Sequence, residues 1–314
     1  MAIQWFPGHM HLTRKAIAER VKEIDVVIEL LDARLPGSSA NPLLAELTAG
    51  RPSLKVLNKQ DLADPQRTAL WLDWYNNQPE TRAIALDASV TAPARALIDA
   101  CRALAPLRGG MVKPMRVLIC GVPNVGKSTL INTLTGRRAA KTGDEAGITK
   151  SENRITLADD FSLFDTPGML WPRIHVPQSG FHLAASGAVG RNAYDEEEVA
   201  LELLAVLKLD YPALLQARFK LQDAAVMNDE DLLAEVGRQR GALLGRGRIN
   251  LQKAAEVVIH EFRAATLGRI TLETPERFES WLVEAETADA QREALKAARQ
   301  RERKGRPKSG SGSA

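Results

Sequence analysis

The stretch that most constrains the fold of this chain is Gly121–Ser128, which reads Gly-Val-Pro-Asn-Val-Gly-Lys-Ser. An apolar run at 116–120 precedes it and predicts a buried strand, while the residues from 129 onward begin a helix. In this setting the glycines let successive backbone N–H groups and the helix N-terminus face a phosphate. The stretch therefore predicts a P-loop that binds a nucleotide, with phosphate contacts at Asn124, Val125, Gly126, Lys127, Ser128 and Thr129.

Three motifs predict a magnesium site beside this loop. Lys127 supplies a positive charge to the β- and γ-phosphates, and the Ser128 hydroxyl is a ligand for Mg²⁺. A later strand ends in Asp165-Thr-Pro-Gly168, which places a carboxylate in the outer shell of the metal and the Gly168 N–H at the γ-phosphate. Thr149 lies in a polar loop between these motifs and is a third candidate ligand, although a single threonine in such a loop often has no role.

The tetrapeptide Asn58-Lys-Gln-Asp61, at the end of a predicted strand, indicates that the base is guanine. The Asp61 carboxylate can accept hydrogen bonds from N1–H and the exocyclic amino group of guanine, a donor pair that adenine lacks. We expect Asn58 to tie neighbouring loops together and the stem of Lys59 to lie along the base. Ala88 and Ser89, after the next strand, suit a backbone contact to the guanine carbonyl, although this signal is weak by itself.

The predicted fold class is α/β, with a doubly wound, mostly parallel six-stranded sheet and all motifs at the carboxyl ends of strands. Helices are expected at 12–21, 38–49, 64–75 and 91–104, and a helix follows the P-loop. A small helical domain is expected after the sheet, with helices within 181–215, at 229–236 and at 251–267. The predicted strands are 25–31, 54–57, 82–86, 116–120, 154–157 and 161–164.

The order of the motifs is unusual, because the guanine motif precedes the P-loop, whereas in ordinary small GTPases it comes last. The binding loops form a ring on one edge of the sheet, so the chain can be opened elsewhere without disturbing the pocket. This order is that of a circularly permuted GTPase. Over residues 1–275 the chain resembles the bacterial RbgA/YlqF family of large-subunit ribosome assembly GTPases, through Trp5-Phe-Pro-Gly-His-Met10, Asp32-Ala-Arg34, the P-loop and Asp165-Thr-Pro-Gly-Met-Leu-Trp-Pro172.

This resemblance implies a catalytic residue and a second cation. Many GTPases place a water-orienting glutamine directly after Asp-x-x-Gly, but this chain has Met169 there. The family points to His9 instead, since an imidazole that titrates near neutrality can position and polarise water. It also implies that Asn124 supports K⁺ beside the phosphates, where a monovalent cation offsets developing charge. GTP is then the substrate, and Mg²⁺ and K⁺ are the cofactors.

Basic residues are concentrated in two places. Residues 291–314 contain eight Lys or Arg against two Glu, a net charge of +6, which leaves −3 for the rest of a chain whose total is +3. A basic tail on an acidic body suggests contact with nucleic acid, with a solvated, disordered end as the open alternative. The second concentration suits phosphate contacts and resembles the small RNA-binding domain of the family; its residues are Arg238, Arg240, Arg246, Arg248 and Lys253, with Arg263 and Arg269 nearby. Solvated helix-face charges are again the alternative.

The expected organisation is a circularly permuted GTPase domain at 1–175, a helical RNA-binding-like domain at 176–275, and a charged helix with a disordered basic tail at 276–314. Because the chain runs from Asp165–Gly168 directly into the helical domain, a shift of that loop with the γ-phosphate is a hypothetical output route. Two cysteines and no apolar run of membrane-spanning length favour a cytoplasmic protein without membrane contact, and we expect a monomer.

The predicted function is GTP hydrolysis that drives assembly of the large (50S) ribosomal subunit, with rRNA as the docking partner. The alternative is a nucleotide-gated placeholder on RNA or the ribosome in which turnover is incidental, and Met169 keeps this open. A membrane-signalling GTPase has no support from a lipidation motif. An ATP-dependent kinase is disfavoured by the guanine motif at Asn58–Asp61.

Overall fold

A six-stranded sheet forms the centre of the computed structural model, which describes residues 3–108, 114–136, 153–221 and 223–305. The strand order is β3-β2-β1-β4-β6-β5, and every neighbouring pair is parallel except β5 with β6. This confirms the predicted mostly parallel sheet. The strands are β1 (Val26–Asp32), β2 (Ser53–Asn58), β3 (Thr81–Leu86), β4 (Met115–Gly121), β5 (Asn153–Ala158) and β6 (Phe161–Asp165).

The two central strands of the sheet, β1 and β4, are almost completely buried. All residues of β1 are buried, and so are all residues of β4 except Arg116. Such near-continuous burial is typical of parallel strands that helices cover on both faces. The helices are α1 (Gly8–Arg20), α2 (Pro42–Leu47), α3 (Pro65–Asn76), α4 (Thr91–Leu104), α5 (Lys127–Thr135), α6 (Pro177–Ser186), α7 (Glu196–Asp210), α8 (Pro212–Phe219), α9 (Asp229–Gln239), α10 (Leu251–Arg263) and α11 (Pro275–Gly305).

Three helix boundaries differ from the prediction for local reasons. The helix α1 begins at Gly8 rather than at residue 12. The helix expected at 38–49 is only α2, because the Asn41 side chain accepts from two N–H groups at its start and Pro42 follows. The helix expected at 251–267 ends at Arg263, and Ala265 then has a positive φ of 52°.

The N-terminal segment docks on the chain beyond β6. Gln4 exchanges two hydrogen bonds with the backbone of Ile174, at 2.9 and 3.1 Å. The ring of Trp5 lies so close to Gly190 that a Cβ there would be 3.1 Å from it. These contacts hold α1 against the segment that follows Asp165.

A buried polar cluster joins the loop after β1 to the helical region. The Glu273 carboxylate accepts hydrogen bonds from the Ser38 N–H at 2.7 Å and from the Ser38 hydroxyl at 2.5 Å. Its other contact is His182 Nδ1 at 2.8 Å. Ser38, which was predicted to be helical, therefore lies in a loop where its polar groups bind a carboxylate 235 residues away.

The start of α11 also packs on the body, although the sequence predicted a separate charged helix. Phe278 lies 5.8 Å from the ring of Trp71, and the Arg277 guanidinium binds the Asp210 carboxylate at 2.7 and 3.1 Å. Residues 306–314, the end of the predicted disordered tail, lie outside the described residues. Among the helices that the structure describes, none combines the length and apolar character needed to cross a membrane.

Candidate active site

The P-loop connects β4 to α5 at the centre of the sheet edge. Its backbone depends on Gly126, which has a φ of 101° and lies so close to Asn58 that a Cβ would be 2.2 Å from the Asn58 Nδ2 atom. Only glycine fits this position. Asn124 also has a positive φ, of 57°. Lys127 is the first residue of α5 and is buried, Ser128 is half-buried, and Thr129 is exposed.

Asn58 ties two nucleotide loops together, as the sequence predicted. Its Nδ2 donates to the carbonyl oxygen of Val125 in the P-loop at 2.7 Å, and its Oδ1 accepts from the N–H of Ala88 at 2.8 Å. Asn58 is almost fully buried, at 2% exposure. Three predicted elements, the ends of β2, β3 and β4, are thereby brought to one place, with Asp61 and Ser89 exposed beside them.

Lys59 has a structural contact that the sequence did not reveal. Its Nζ atom donates to the Asn124 carbonyl at 2.9 Å and to Asp32 Oδ2 at 2.8 Å. Asp32 ends β1 and also binds Arg34 through Nε and Nη2, at 2.9 and 2.7 Å. Asp32 and Arg34 are each only 2% exposed. An Asp-x-Arg sequence directly after a buried strand is the signal that could have indicated this pair.

The charges around Asp32 set its ionisation. Burial alone would raise the pKa of this carboxyl, but the neighbouring charges of Arg34 and Lys59 and their hydrogen bonds hold it well below its ordinary value of 3.8. Burial also lowers the pKa of the Lys59 ammonium, against the attraction of Asp32. The three side chains form one charged cluster at the junction of β1, β2 and the P-loop, in which Asp32 and Arg34 are buried and Lys59 is half-buried.

We expect Asp32→Asn to lower the free energy of unfolding by about 3–5 kcal/mol at pH 7, because Arg34 is left buried without its full counter-charge. The folded-state pKa of Asp32 is depressed, so its contribution is complete above pH 3.8 and is lost as the pH falls through the folded pKa. Urea denaturation at pH 7 and pH 3 should therefore show the difference between the two proteins narrowing at the lower pH. A difference that stays constant with pH would contradict this assignment.

Asp165 is a buried carboxylate whose surroundings suit a bound cation. It is fully buried, and neither of its oxygens has a hydrogen-bond partner among the described residues. Lys127 Nζ lies 3.4 Å from Oδ1. Burial raises the pKa of Asp165 despite the charge of Lys127. A divalent cation beside this carboxylate would supply the missing partner, and Ser128 is the neighbouring oxygen donor; Thr149 lies outside the described residues.

The segment after Asp165 packs tightly on the P-loop. A Cβ at Gly168 would be 2.9 Å from Pro123 Cα, so a larger residue would displace the loop. Met169 is buried, its N–H donates to the Gly121 carbonyl at 3.1 Å, and its carbonyl accepts from Asn41 Nδ2 at 2.8 Å. The methionine side chain is therefore part of the core rather than a group that faces a water molecule.

His9 lies in the first turn of α1, beside this segment. The next residue, Met10, is fully buried, and its sulfur lies 3.5 Å from the Leu170 nitrogen. The Nε2 atom of His9 is buried and has no hydrogen-bond partner within the described parts of the chain. A buried imidazole nitrogen without a partner is costly, and a water molecule or a bound ligand could supply the missing hydrogen bond.

The predicted basic set divides into exposed and structural members. Arg240 binds Glu261 at 3.0 Å and lies over the ring of Phe219, so it stabilises the helical region. Arg263 donates to the Ala184 and Ala185 carbonyls, and Arg269 donates to the Gln60 and Ala63 carbonyls. Intramolecular partners occupy these three guanidinium groups, and their contact with phosphates stays a prediction. The exposed members are Arg238, Arg246, Arg248 and Lys253.

The exposed arginines are held by a short loop. Leu243 pairs with Ile249 in an antiparallel bridge, and the Leu244 N–H donates to the Arg248 carbonyl at 2.7 Å. Arg246 is at the tip with a positive φ of 64°. We call residues 243–249 the arginine loop.

Comparison with known proteins places this site in a family. A family model described as "50S ribosome-binding GTPase" matches residues 116–260. Ribosome biogenesis GTPase A of Bacillus cereus is 40% identical over 286 residues, covering 88% of this chain and 96% of the relative. The protein of the same name from Priestia megaterium is 38% identical, with 89% and 99% covered. Mitochondrial ribosome-associated GTPase 1 of Mus musculus is 33% identical, with 86% and 90% covered.

Solved structures agree on the fold. GDP-bound TM YlqF aligns with a TM-score of 0.61 at 22% identity, covering 83% of this chain and 99% of that one. GNP-bound YlqF from T. maritima aligns with a TM-score of 0.60, covering 84% and 98%. With the permuted motif order and the nearly full-length curated relatives, these observations show that the chain belongs to the ribosome biogenesis GTPase A family of circularly permuted GTPases.

Proposed function

We propose that this GTPase is an assembly factor for the large (50S) ribosomal subunit, which binds rRNA and changes state when it hydrolyses GTP. The observation that carries the proposal is the ring of loops that Asn58 holds together, in a chain whose relatives are named for ribosome biogenesis. The protein acts as a monomer in the cytoplasm. Its working parts are the GTPase domain at 1–175, the helical domain at 176–275 and the charged helix with its tail at 276–314.

The nucleotide contacts follow from the positions of the loops. Asp61 reads the guanine edge, Lys59 lines the base, and Ala88 and Ser89 face the guanine carbonyl. The backbone from Asn124 to Thr129 and the N–H of Gly168 surround the phosphates, and Lys127 supplies the charge. Ser128, Thr149 and the Asp165 carboxylate would hold Mg²⁺, whose charge would offset that of the phosphates.

His9 is the proposed catalytic residue. Its helix contacts Leu170 through the Met10 sulfur, two residues after the glycine proposed to face the γ-phosphate. Because Met169 is buried and has no group that can orient water, the unpartnered Nε2 atom of His9 is the better candidate. The imidazole would hold a water molecule in line with the γ-phosphate.

Asn124 is the proposed ligand for K⁺. The hydrogen bond from its Nδ2 to the Gly187 carbonyl, at 2.9 Å, holds the side-chain amide. Its Oδ1 would then be the cation ligand next to the phosphates, where a monovalent charge offsets the charge that develops during hydrolysis.

The proposed rRNA contacts are Arg238, Arg246, Arg248 and Lys253. All four are exposed, and two of them lie on the arginine loop beside the exposed apolar side chains of Leu243 and Leu244. Arginine can bind phosphate through two parallel hydrogen bonds, which suits contact with an RNA backbone. Arg238 also binds Glu235 of its own helix.

The double change Arg246→Ala and Arg248→Ala should weaken RNA binding and reduce the slope of log K against log salt by about 2, because each residue neutralises one phosphate. Fluorescence anisotropy with a large-subunit rRNA fragment across a salt series measures both effects. Arg82→Ala, which removes an exposed arginine of β3, is the matched control. An unchanged slope in the double variant would remove the arginine loop from the interface.

Stimulated turnover is the direct test of the proposed function. GTP hydrolysis is measured in K⁺ and in Na⁺ buffer, with large subunits, with small subunits, and without either. Faster turnover with large subunits only, and in K⁺ only, is the expected result. Tight GTP binding without any stimulation would instead favour the placeholder function, which the buried Met169 keeps open. Equal rates in the two salts would exclude the role of K⁺.

A further inference from the structure

A chain of buried polar contacts leaves the P-loop toward the helical region. It begins at the Asn124 carbonyl, which accepts from Lys59 Nζ at 2.9 Å. Lys59 also binds Asp32, and Asp32 binds Arg34 through two hydrogen bonds of 2.9 and 2.7 Å. Asp32 and Arg34 are each only 2% exposed, so water screens their interaction little, whereas Lys59 and Asn124 are half-buried.

Arg34 carries the chain of contacts across to α10. Its Nη1 atom lies 3.4 Å from the carbonyl oxygens of both Phe262 and Arg263, in the last turn of that helix. Its guanidinium also lies over the Phe262 ring, 4.9 Å from the centroid. A cation at the C-terminal end of a helix is favourably placed. Arg34 thus joins the cluster at the guanine loop to one end of α10.

A second and separate route reaches the same helix end. The Asn124 side chain donates from Nδ2 to the Gly187 carbonyl at 2.9 Å. A Cβ at Gly187 would lie 3.5 Å from the Arg263 guanidinium, which in turn donates to the Ala184 and Ala185 carbonyls at 2.7 and 2.8 Å. Asn124 is therefore connected to residues 262–263 by two routes. One starts from its backbone carbonyl and the other from its side chain.

The other end of α10 supports the arginine loop. Asn250 caps the helix by accepting from the Lys253 N–H at 3.0 Å, and its own N–H donates to the Ala242 carbonyl at 2.8 Å. The helix has 13 residues, or a length of about 20 Å, and Val258 and Ile259 are buried in its middle. Because the helix is packed along its length, we expect it to move as a unit. A shift at residues 262–263 would then displace the arginine loop.

We propose that α10 couples the nucleotide loops to the arginine loop, and that Arg34 is the positioning residue that makes the connection. Nucleotide and cation binding at the P-loop restrict Asn124, which is the origin of both routes, and this stabilises the C-terminal end of α10. By linkage, a ligand at the arginine loop changes nucleotide affinity by the same factor. The part that concerns RNA rests on the proposed function, whereas the coupling to α10 does not.

Hydrogen exchange with a non-hydrolysable GTP analogue tests the coupling without ribosomes. In the unaltered protein, amides in 258–268 should exchange at least about fivefold more slowly when the analogue is bound. In Arg34→Lys the analogue should still bind, but this protection should be lost. Lysine keeps a positive charge beside Asp32, yet its single ammonium cannot bind Asp32 and both helix carbonyls as the guanidinium fork does.

Arg269→Lys is the matched control, because Arg269 also binds backbone carbonyls near the guanine loop, those of Gln60 and Ala63. It should keep the protection of α10. Should Arg34→Lys fail to fold, Phe262→Leu replaces the buried ring beneath the guanidinium, and the ratio of exchange rates without and with the analogue, measured in the same variant, should fall toward one in these peptides. The proposal would be overturned if the analogue did not slow exchange of α10 in the unaltered protein, or if it slowed exchange fully in Arg34→Lys.

A second arm separates this proposal from the proposed function. The affinity of the GTP analogue is measured with and without large subunits, for the unaltered protein and for Arg34→Lys. If large subunits change the affinity of the unaltered protein but not that of Arg34→Lys, coupling through Arg34 is supported. An equal change in both proteins overturns it. Failure of large subunits to bind the unaltered protein at all would refute the proposed function, while the exchange result would still decide the coupling.

Discussion

Asp61→Asn should shift the nucleotide preference from GTP toward XTP by a factor on the order of 10⁴. The Asp61 carboxylate accepts from N1–H and from the exocyclic amino group of guanine, and xanthine has a carbonyl oxygen in place of that amino group. An asparagine amide offers one acceptor and one donor, which matches xanthine and leaves the guanine amino group without an acceptor. Equilibrium binding of fluorescent GTP and XTP analogues measures the ratio of affinities.

Asp87→Asn is the control for this experiment. Asp87 follows β3, close to the same loops, and its carboxylate accepts from the N–H and hydroxyl of Ser89. It makes the same chemical change to a neighbouring acid that we do not expect to read the base, so the preference for GTP should remain. If Asp61→Asn also kept its preference for GTP, another group would have to recognise the guanine edge.

His9→Ala should lower the rate of GTP hydrolysis stimulated by large subunits by about 10²–10⁴-fold, with little change in GTP affinity. The reason is that His9 lies on a helix held at residues 169–170, where Met169 cannot orient water. Single-turnover hydrolysis with saturating large subunits measures the chemical step, and a separate binding titration shows whether affinity is retained.

Two further variants are needed to interpret the rate of His9→Ala. His11→Ala changes the next histidine on α1, which is exposed and packs edge-on against Phe6, and should hydrolyse GTP normally. His9→Gln keeps a hydrogen-bonding side chain that cannot titrate. Substantial activity in His9→Gln would indicate that His9 positions water, and activity as low as that of alanine would indicate proton transfer. A normal rate in His9→Ala would exclude His9 from catalysis and favour the placeholder function.

Local sequence was sufficient to predict a nucleotide site because the chemistry of such a site depends on short segments. The P-loop requires glycines and a lysine at fixed spacing, and the turn at Gly126 shows why, since a Cβ there would be 2.2 Å from Asn58 Nδ2. The parallel strands then bring the motifs to one edge whatever their order along the chain. The permutation was therefore readable from motif order alone.

The sequence was a poor guide wherever a polar or charged residue binds a partner far along the chain. Arg240 and Arg263 have the composition and setting of RNA contacts, yet they bind Glu261 and the carbonyls of α6. The start of the helix predicted at 38–49 was wrong for a related reason, because Ser38 binds Glu273, 235 residues away, and the helix begins only after its cap, Asn41. Every residue has a backbone carbonyl, so the sequence does not indicate which carbonyl an arginine will bind.

The amino-acid sequence by itself determined the class of nucleotide, the strands and the order of the motifs, because these depend on local backbone conformation and hydrophobic periodicity, and the resemblance of its motifs implied the family. Only the tertiary structure decided that Asp32 and Arg34 are buried together, and that Arg34 reaches the end of α10, 228 residues further along the chain. Burying a charge is favourable only where partners from several elements meet. That meeting is a property of the packed fold.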